Sequence, residues 1–241
     1  MGKLYIVPTP VGNMDDMTPR AVATLRSVSA IYAEDTRTSA VLLRRFGIDT
    51  PCLSHHKFNE HATAGPVAQR LLAGEDIALI SDAGTPGISD PGFMLSRECR
   101  RLGIEVETLP GPTAFVPALV NSGLPTDRFT FEGFLPPKKG RASRIKAIAE
   151  ADCTSVIYES PLRLVKTIGE LAEACGADRS ASVSREISKI HDTTVRGTLG
   201  ELADYFAENN PKGEIVIIVG APESERRVHR NKYKDEEEDD V

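Results

Sequence analysis

The segment Ser81-Asp82-Ala83-Gly84-Thr85-Pro86-Gly87-Ile88-Ser89-Asp90-Pro91-Gly92 follows an apolar run at 77–80. A loop of this composition is suited to holding a small polar ligand. Its glycines let a ligand come close to the main chain, and its prolines fix the course of the backbone. Asp82, at the end of the apolar run, can accept hydrogen bonds from an amino group, a ribose hydroxyl or a loop amide. The same spacing also describes a tight loop closed by an Asx turn. A second loop of this kind, Leu109-Pro110-Gly111-Pro112-Thr113, follows the run at 104–107, and a third, Pro8-Thr9-Pro10-Val11-Gly12-Asn13, follows the first apolar run of the chain. In parallel sheets ligands bind beyond the carboxyl ends of the strands, where such loops lie. Neither G-x-G-x-x-G nor G-x-x-x-x-G-K-[ST] occurs, which removes the main support for a dinucleotide or nucleoside triphosphate site.

The elements that must position these loops alternate. Runs at 4–7, 30–33, 77–81 and 104–109 predict buried strands, and 19–27, 38–46, 62–73, 91–102 and 113–120 predict the helices between them. Thr18 can cap the first helix with Pro19 at its first position, and Gly47 and Gly103 fit as helix stops. This alternation implies right-handed crossovers and a largely parallel sheet covered on both faces. Gly123-Leu124-Pro125-Thr126-Asp127 interrupts it. Beyond that point strands are predicted at 129–134, 155–158, 181–185 and 215–219, with helices at 144–150, 162–175 and 199–209. A further extended stretch at 187–198 is suited to antiparallel pairing. The expected organisation is an α/β protein with an N-terminal domain over 1–122, a linker over 123–128, a mixed-sheet C-terminal domain over 129–221 and a charged, disordered tail over 222–241. The ligand site is expected in the cleft between the two domains.

Composition narrows the class. With 40% hydrophobic residues among 241, the chain can bury a sizeable core. The first residues lead straight into an apolar strand without a basic n-region or a long apolar h-region, and no apolar run approaches the roughly 20 residues of a membrane span, so a cytosolic protein is expected. Cys52, Cys99, Cys153 and Cys175 match no metal-knuckle spacing and read as reduced thiols; no metal is expected. The net charge is -6, and the run Asp235 to Asp240 accounts for all of it. Any nucleic-acid site must therefore lie in a local patch.

Five strings occur together and in order: PTPVGN at Pro8, AEDTR at Ala33, SDAGTPGISDPG at Ser81, LPGPTA at Leu109 and YESP at Tyr158. Together they resemble the small-subunit ribosomal RNA methyltransferases of the tetrapyrrole methylase superfamily, over residues 4–220. The resemblance implies two α/β domains with S-adenosyl-L-methionine in the cleft between them, a homodimer, and 2'-O-methylation of a decoding-centre cytidine of 16S rRNA within the 30S subunit. By position it implies a donor site made of Val11, Asp82, Gly84, Thr85, Ile88, Thr113 and Ala114 from the first domain. From the second domain it adds Tyr158, Arg185, Gly213 and Glu214.

Displacement at an activated sulfonium methyl needs alignment and exclusion of water more than it needs a protein nucleophile. A ribose 2'-hydroxyl does benefit from a nearby base. The expected candidates are Asp35 of AEDTR and His56, with His55 beside it; a polar loop without catalytic duty accounts for the histidine pair as well. For the RNA backbone, Lys138-Lys139-Gly140-Arg141-Ala142-Ser143-Arg144-Ile145-Lys146 offers five cations in a stretch with no acid. Lys138, Lys139, Arg141 and Arg144 are the expected phosphate contacts, with Arg20 and Arg37 on the first domain. Longer members of the family carry a further C-terminal helical segment, whereas this chain ends in acids that would repel phosphate. A methylase of a small tetrapyrrole precursor would share the donor site without the RNA-specific segments. A non-catalytic RNA-binding assembly factor would need none of the three loops.

Overall fold

A computed structural model describes residues 1–209 and 211–222 of the chain. The expected disordered tail falls almost wholly outside the described residues.

Five strands form the first sheet: β1 (Lys3–Ile6), β2 (Ala30–Ala33), β3 (Cys52–Ser54), β4 (Ile77–Ile80) and β5 (Glu105–Thr108). They pair in parallel in the order β3-β2-β4-β1-β5. The helices between them are α1 (Pro19–Ser27), α2 (Thr36–Arg45), α3 (Glu60–Leu72) and α4 (Phe93–Arg101). Both faces are covered, and the side chains of β4 show how. Ile77 and Leu79 meet α3 and α4 through Val67, Leu71, Leu95 and Cys99, whereas Ala78 and Ile80 meet α1 and α2 through Leu25 and Leu43. Right-handed connections require this division, because the chain steps one way along the sheet after β1 and β2 and the other way after β3 and β4. The reversal falls between the neighbours β1 and β4, whose carboxyl ends form the crevice where α/β sheets bind ligands.

The expected strands and helices of this half are present, and Thr18 caps α1 by accepting the Ala21 N–H at 3.1 Å. Gly47 and Gly103 stop α2 and α4 at φ of 59° and 72°. β3 has no counterpart in the expected elements. It is a three-residue edge strand whose register comes from β2 rather than from any periodicity of its own.

The second sheet is mixed: β6 (Phe129–Phe134), β7 (Thr154–Glu159), β8 (Ser180–Arg185), β9 (Thr193–Thr198) and β10 (Ile215–Val219), in the order β6-β7-β10-β8-β9. Only β6 and β7 run parallel. The extended stretch expected at 187–198 becomes a strand only from Thr193, and it does pair antiparallel, with β8. One face of this sheet packs on α6 (Arg141–Glu150), α7 (Leu164–Cys175) and α8 (Leu199–Glu208), through Ile148, Leu171, Leu202 and Phe206. The other face turns toward the first half. There Val156, Val216 and Ile218 meet Ala118 and Leu119 of α5 (Phe115–Ser122), together with Val11 and Ile187. This apolar contact sets the second sheet over the carboxyl ends of the first.

Candidate active site

Three backbone loops form the base of the cleft, and they are tied to one another. The Thr9 N–H donates to the Gly84 carbonyl and the Gly84 N–H to the Thr9 carbonyl, each at 2.9 Å, which joins the loop after β1 to the loop after β4. The Thr85 hydroxyl donates to the Pro112 carbonyl at 3.0 Å, fixing the glycine loop to the loop after β5. Gly111 passes so close to Pro8 that an added Cβ would lie 2.7 Å from the proline ring. Side chains of ordinary size would push these loops apart.

The second half supplies the walls. Phe134, Tyr158 to Pro161, Ile187 and Gly213 to Val216 face Val11, Glu34, Asp82 to Thr85, Ile88 to Asp90, Thr113 and Ala114 across a cavity of about 430 Å³. That volume lies in the range of small-molecule sites. The segment after β8 straps the two halves together. The Ser188 hydroxyl donates to the Asp16 carboxylate, while Lys189 bridges Glu186 at 2.9 Å and Glu214 at 3.2 Å. Glu186 and Ser188 hold positive φ of 52° and 65°, which places Ile187 over the cavity. Strain of this kind persists where the surroundings enforce it.

The cavity is acidic. Glu34, Asp82, Asp90, Glu159 and Glu214 line it, and the first three have no ion-pair partner among the described residues. Burial, and after it the Asp82 charge, raises the proton affinity of Glu34. Partial desolvation raises that of Asp82, whose carboxylate also accepts the Asp35 N–H at 3.1 Å. Asp90 is pushed up to about 7, by burial first and then by the charges of Glu34 and Asp82. Tyr158 is pushed up to about 12, again by burial and then by Asp90. Val11, Ile88, Ala114, Ile215 and Val216 supply apolar wall. Uncompensated carboxylates beside apolar wall suit an organic ligand with a positive centre, because an opposite charge recovers what desolvation costs an anion. S-adenosyl-L-methionine, with its sulfonium and ammonium charges on a partly apolar body, fits that description.

Of the residues expected to hold the donor, Val11, Asp82, Gly84, Thr85, Ile88, Thr113, Ala114, Tyr158, Gly213 and Glu214 all line this cavity. Arg185 does not. Its guanidinium turns away to donate to the Lys212 carbonyl at 3.3 Å, buttressing the turn that carries Gly213 and Glu214. Glu34, Asp90, Phe134 and Ile187 line the cavity without having been expected there. Glu34 and Asp90 stand inside the AEDTR and glycine-loop strings, Glu34 directly after β2 and Asp90 late in the loop before α4, so an acid in a loop beyond a strand's carboxyl end was the available signal. Phe134 and Ile187 carry no such signal, because only the packing of the second sheet brings them in.

The expected bases lie elsewhere. The Asp35 carboxylate caps α2 by accepting the Arg37 N–H at 2.8 Å and pairs with the Arg37 guanidinium at 2.7 Å. That hydrogen-bonded cation holds it well below the usual carboxylate range, which makes it a weak base. His56 lies outside the cavity lining and uses Nδ1 to accept the Phe58 N–H at 3.2 Å. His55 is fully buried, its Nδ1 2.7 Å from the Thr63 hydroxyl, and burial holds its proton affinity down.

The basic run divides. Lys138 and Lys139 are exposed and have no ion-pair partner among the described residues. Arg144 pairs with Glu132 at 2.9 Å, and on the first half Arg20 pairs with Glu107. Arg141 corrects the expectation of a phosphate contact. It is only 7% exposed, bound to Glu170 at 2.6 Å and to the Thr167 hydroxyl at 2.7 Å, and 3.9 Å from the buried Glu159. It faces the interior because the first turn of α6 packs on α7.

Residues 3–203 match the family of Tetrapyrrole (Corrin/Porphyrin) Methylases. The chain is 48% identical over 228 residues to the Ribosomal RNA small subunit methyltransferase I of Synechocystis, covering 94% of this chain and 82% of the relative. It is 47% identical over 233 residues to the protein of the same name from Pseudomonas aeruginosa, covering 94% and 83%. Among solved structures, a diphthine synthase superposes with a TM-score of 0.72 at 15% identity, covering 91% of this chain and 90% of that one, a likeness of fold.

Proposed function

This chain belongs to the tetrapyrrole methylase family, and from that premise we propose that it methylates small-subunit ribosomal RNA with S-adenosyl-L-methionine as donor, at the ribose 2'-hydroxyl of a decoding-centre cytidine of 16S rRNA. The observation that carries the donor half of this reading is the cleft itself. Three tied loops, apolar wall and uncompensated carboxylates converge on one cavity at the reversal point of the sheet.

In this reading the two domains, 1–122 and 129–221, close on the donor. Val11, Ile88, Thr113, Ala114 and Val216 bind its apolar body, the main-chain groups of Gly84 and Gly213 lie against it, and Asp82 and Glu214 face its positive charges. The donor supplies a methyl carbon already activated by a positively charged sulfur. The protein aligns the hydroxyl with that carbon and excludes water. Lys138 and Lys139 hold the RNA backbone, with Arg20, Arg37 and Arg144 able to exchange their acidic partners for phosphate. The enzyme acts in the cytoplasm as a homodimer on the 30S subunit.

Mass mapping of 16S rRNA from a strain lacking this protein, before and after complementation, tests the reading. One ribose-methylated cytidine should disappear and return. Unchanged ribose methylation in the deletion strain would refute it, and a lost base methylation in its place would correct the site of transfer.

A further inference from the structure

With Asp35 locked by Arg37 and the neighbouring histidines committed to their loop, the expected bases leave the 2'-hydroxyl proton without an acceptor. The cleft contains a better placed one. We propose that Asp90 accepts the proton of the attacking hydroxyl and that its readiness to do so is set by the charge of the donor. This inference rests on the donor reading above.

Four observations favour Asp90 over Asp82 and Glu214, and its backbone sets it apart from Glu34, the other unpaired, half-buried carboxylate of the cleft. Asp82 is exposed and already accepts the Asp35 N–H. Glu214 is exposed and paired with Lys189. Asp90 is half-buried, lines the cavity and has no ion-pair partner among the described residues. Its backbone is also forced. Ser89 before it holds a φ of 70°, unfavourable for a residue with a Cβ, and Gly92 two residues later holds 141°. Strained backbone of this kind clusters where a side chain must be aimed.

The groups around Asp90 are Glu34 from the end of β2, Ser81 and Asp82 from the end of β4, Tyr158 of β7 and Glu214 before β10. Three of these are acids, and no cation faces it among them. Without a positive ligand, burial and the charges of Glu34 and Asp82 hold the proton affinity of Asp90 up, to about 7. A cation in the cleft favours the carboxylate and expels that proton. In the transfer, the 2'-oxygen bonds to the methyl carbon as the carbon–sulfur bond breaks, its electron pair staying on sulfur, which becomes a neutral thioether. The hydroxyl proton passes to Asp90, leaving a 2'-O-methyl ribose and a protonated carboxyl. Loss of the sulfonium charge restores the repulsion from Glu34, Asp82 and Glu214, so the proton affinity of Asp90 rises as the proton arrives.

Calorimetric titration with S-adenosyl-L-methionine near pH 7, in buffers of different ionisation enthalpy, should show net proton release in the wild type, as a group that carries a proton there and is then ionised requires. Asp90→Asn should abolish that release while still binding donor. Methyl transfer to 30S subunits should fall by about a hundredfold or more in kcat, and the acid limb of the pH–rate profile should vanish. Asp90→Glu should restore the limb in part, which a merely structural role would not do. Proton release unchanged in Asp90→Asn, or a kcat within a few-fold of wild type, overturns the assignment. So does an acid limb lost in Glu34→Gln and kept in Asp90→Asn. A wild-type protein that binds donor with Asp90-dependent proton release but modifies no RNA would overturn the function proposed above and Asp90 as acceptor of a ribose hydroxyl proton, while leaving the coupling of Asp90 to the donor charge established.

Discussion

Replacing Arg141 with alanine separates two roles that the basic run confounds. In the fold Arg141 is an interior cation, with a side chain 8% exposed beside a Glu159 side chain that is fully buried. Removing one partner of a buried pair costs about 3–5 kcal/mol, because the other charge is left uncompensated. Glu159 is only partly abandoned. Oε1 still accepts from Arg163 and from the Ser160 N–H, each at 2.7 Å, and Oε2 still accepts from the Thr167 hydroxyl at 2.7 Å. Glu170, about a third exposed, can be rehydrated. The destabilisation should therefore fall at the low end, about 3 kcal/mol, including the packing of the Arg141 methylenes. For a chain of this length each kcal/mol shifts Tm by about 2–4 °C, so a fall of about 6–12 °C is expected in a thermal melt followed by circular dichroism. The salt dependence of RNA binding, measured on the folded variant well below its Tm, should not change. An unaltered Tm together with a log–log salt slope reduced by about 0.7–0.9 would refute the reasoning, since a cation that neutralises an RNA phosphate leaves that signature when it is removed.

The double variant Lys138→Ala, Lys139→Ala should behave in the opposite way. Its Tm should hold, and its salt slope should drop by about 0.7–0.9 for each phosphate that is no longer neutralised; an unchanged slope would move the RNA cations to another face. Asp90→Asn should raise the Tm of the donor-free protein at pH 8 and leave it unchanged near pH 3.5. The folded state holds the Asp90 proton up to about pH 7, so the stability from that group is complete below its unfolded pKa near 4 and is lost as pH rises through 7. A melting-temperature series against pH in which the two proteins run parallel would contradict this. Gly213→Ala should destabilise by at least about 1–2 kcal/mol, because Gly213 sits at φ 87° and a Cβ there would overlap the Glu186 carboxylate. It should also weaken donor binding by displacing Glu214, and calorimetry showing wild-type affinity would exclude Glu214 from the site.

Much of this molecule is determined by local sequence. The alternation of apolar strands and amphipathic helices decides the parallel sheet, since each β-to-α step has only one favourable hand. The proline and glycine loops after β1, β4 and β5 announce the crevice, because their dihedral constraints act within a few residues. Even Glu34, directly after β2, and Asp90, in the loop between β4 and α4, are legible in those strings as acids beyond strand ends. Tertiary structure decided what each polar group does once folded. Arg141 and Lys139 look alike in a basic run, yet one faces α7 and the other faces water. Asp35 looks like a base until Arg37 folds back on it, and Arg185 looks like a ligand until it turns to Lys212. β3, only three residues long, exists because β2 offers an open edge, and Phe134 and Ile187 reach the cavity because the apolar face of the second sheet seats them there. The physical reason is one of range. Backbone propensity and apolar periodicity act over neighbouring residues, whereas the charge state and accessibility of a side chain depend on partners distant in sequence that only folding brings together.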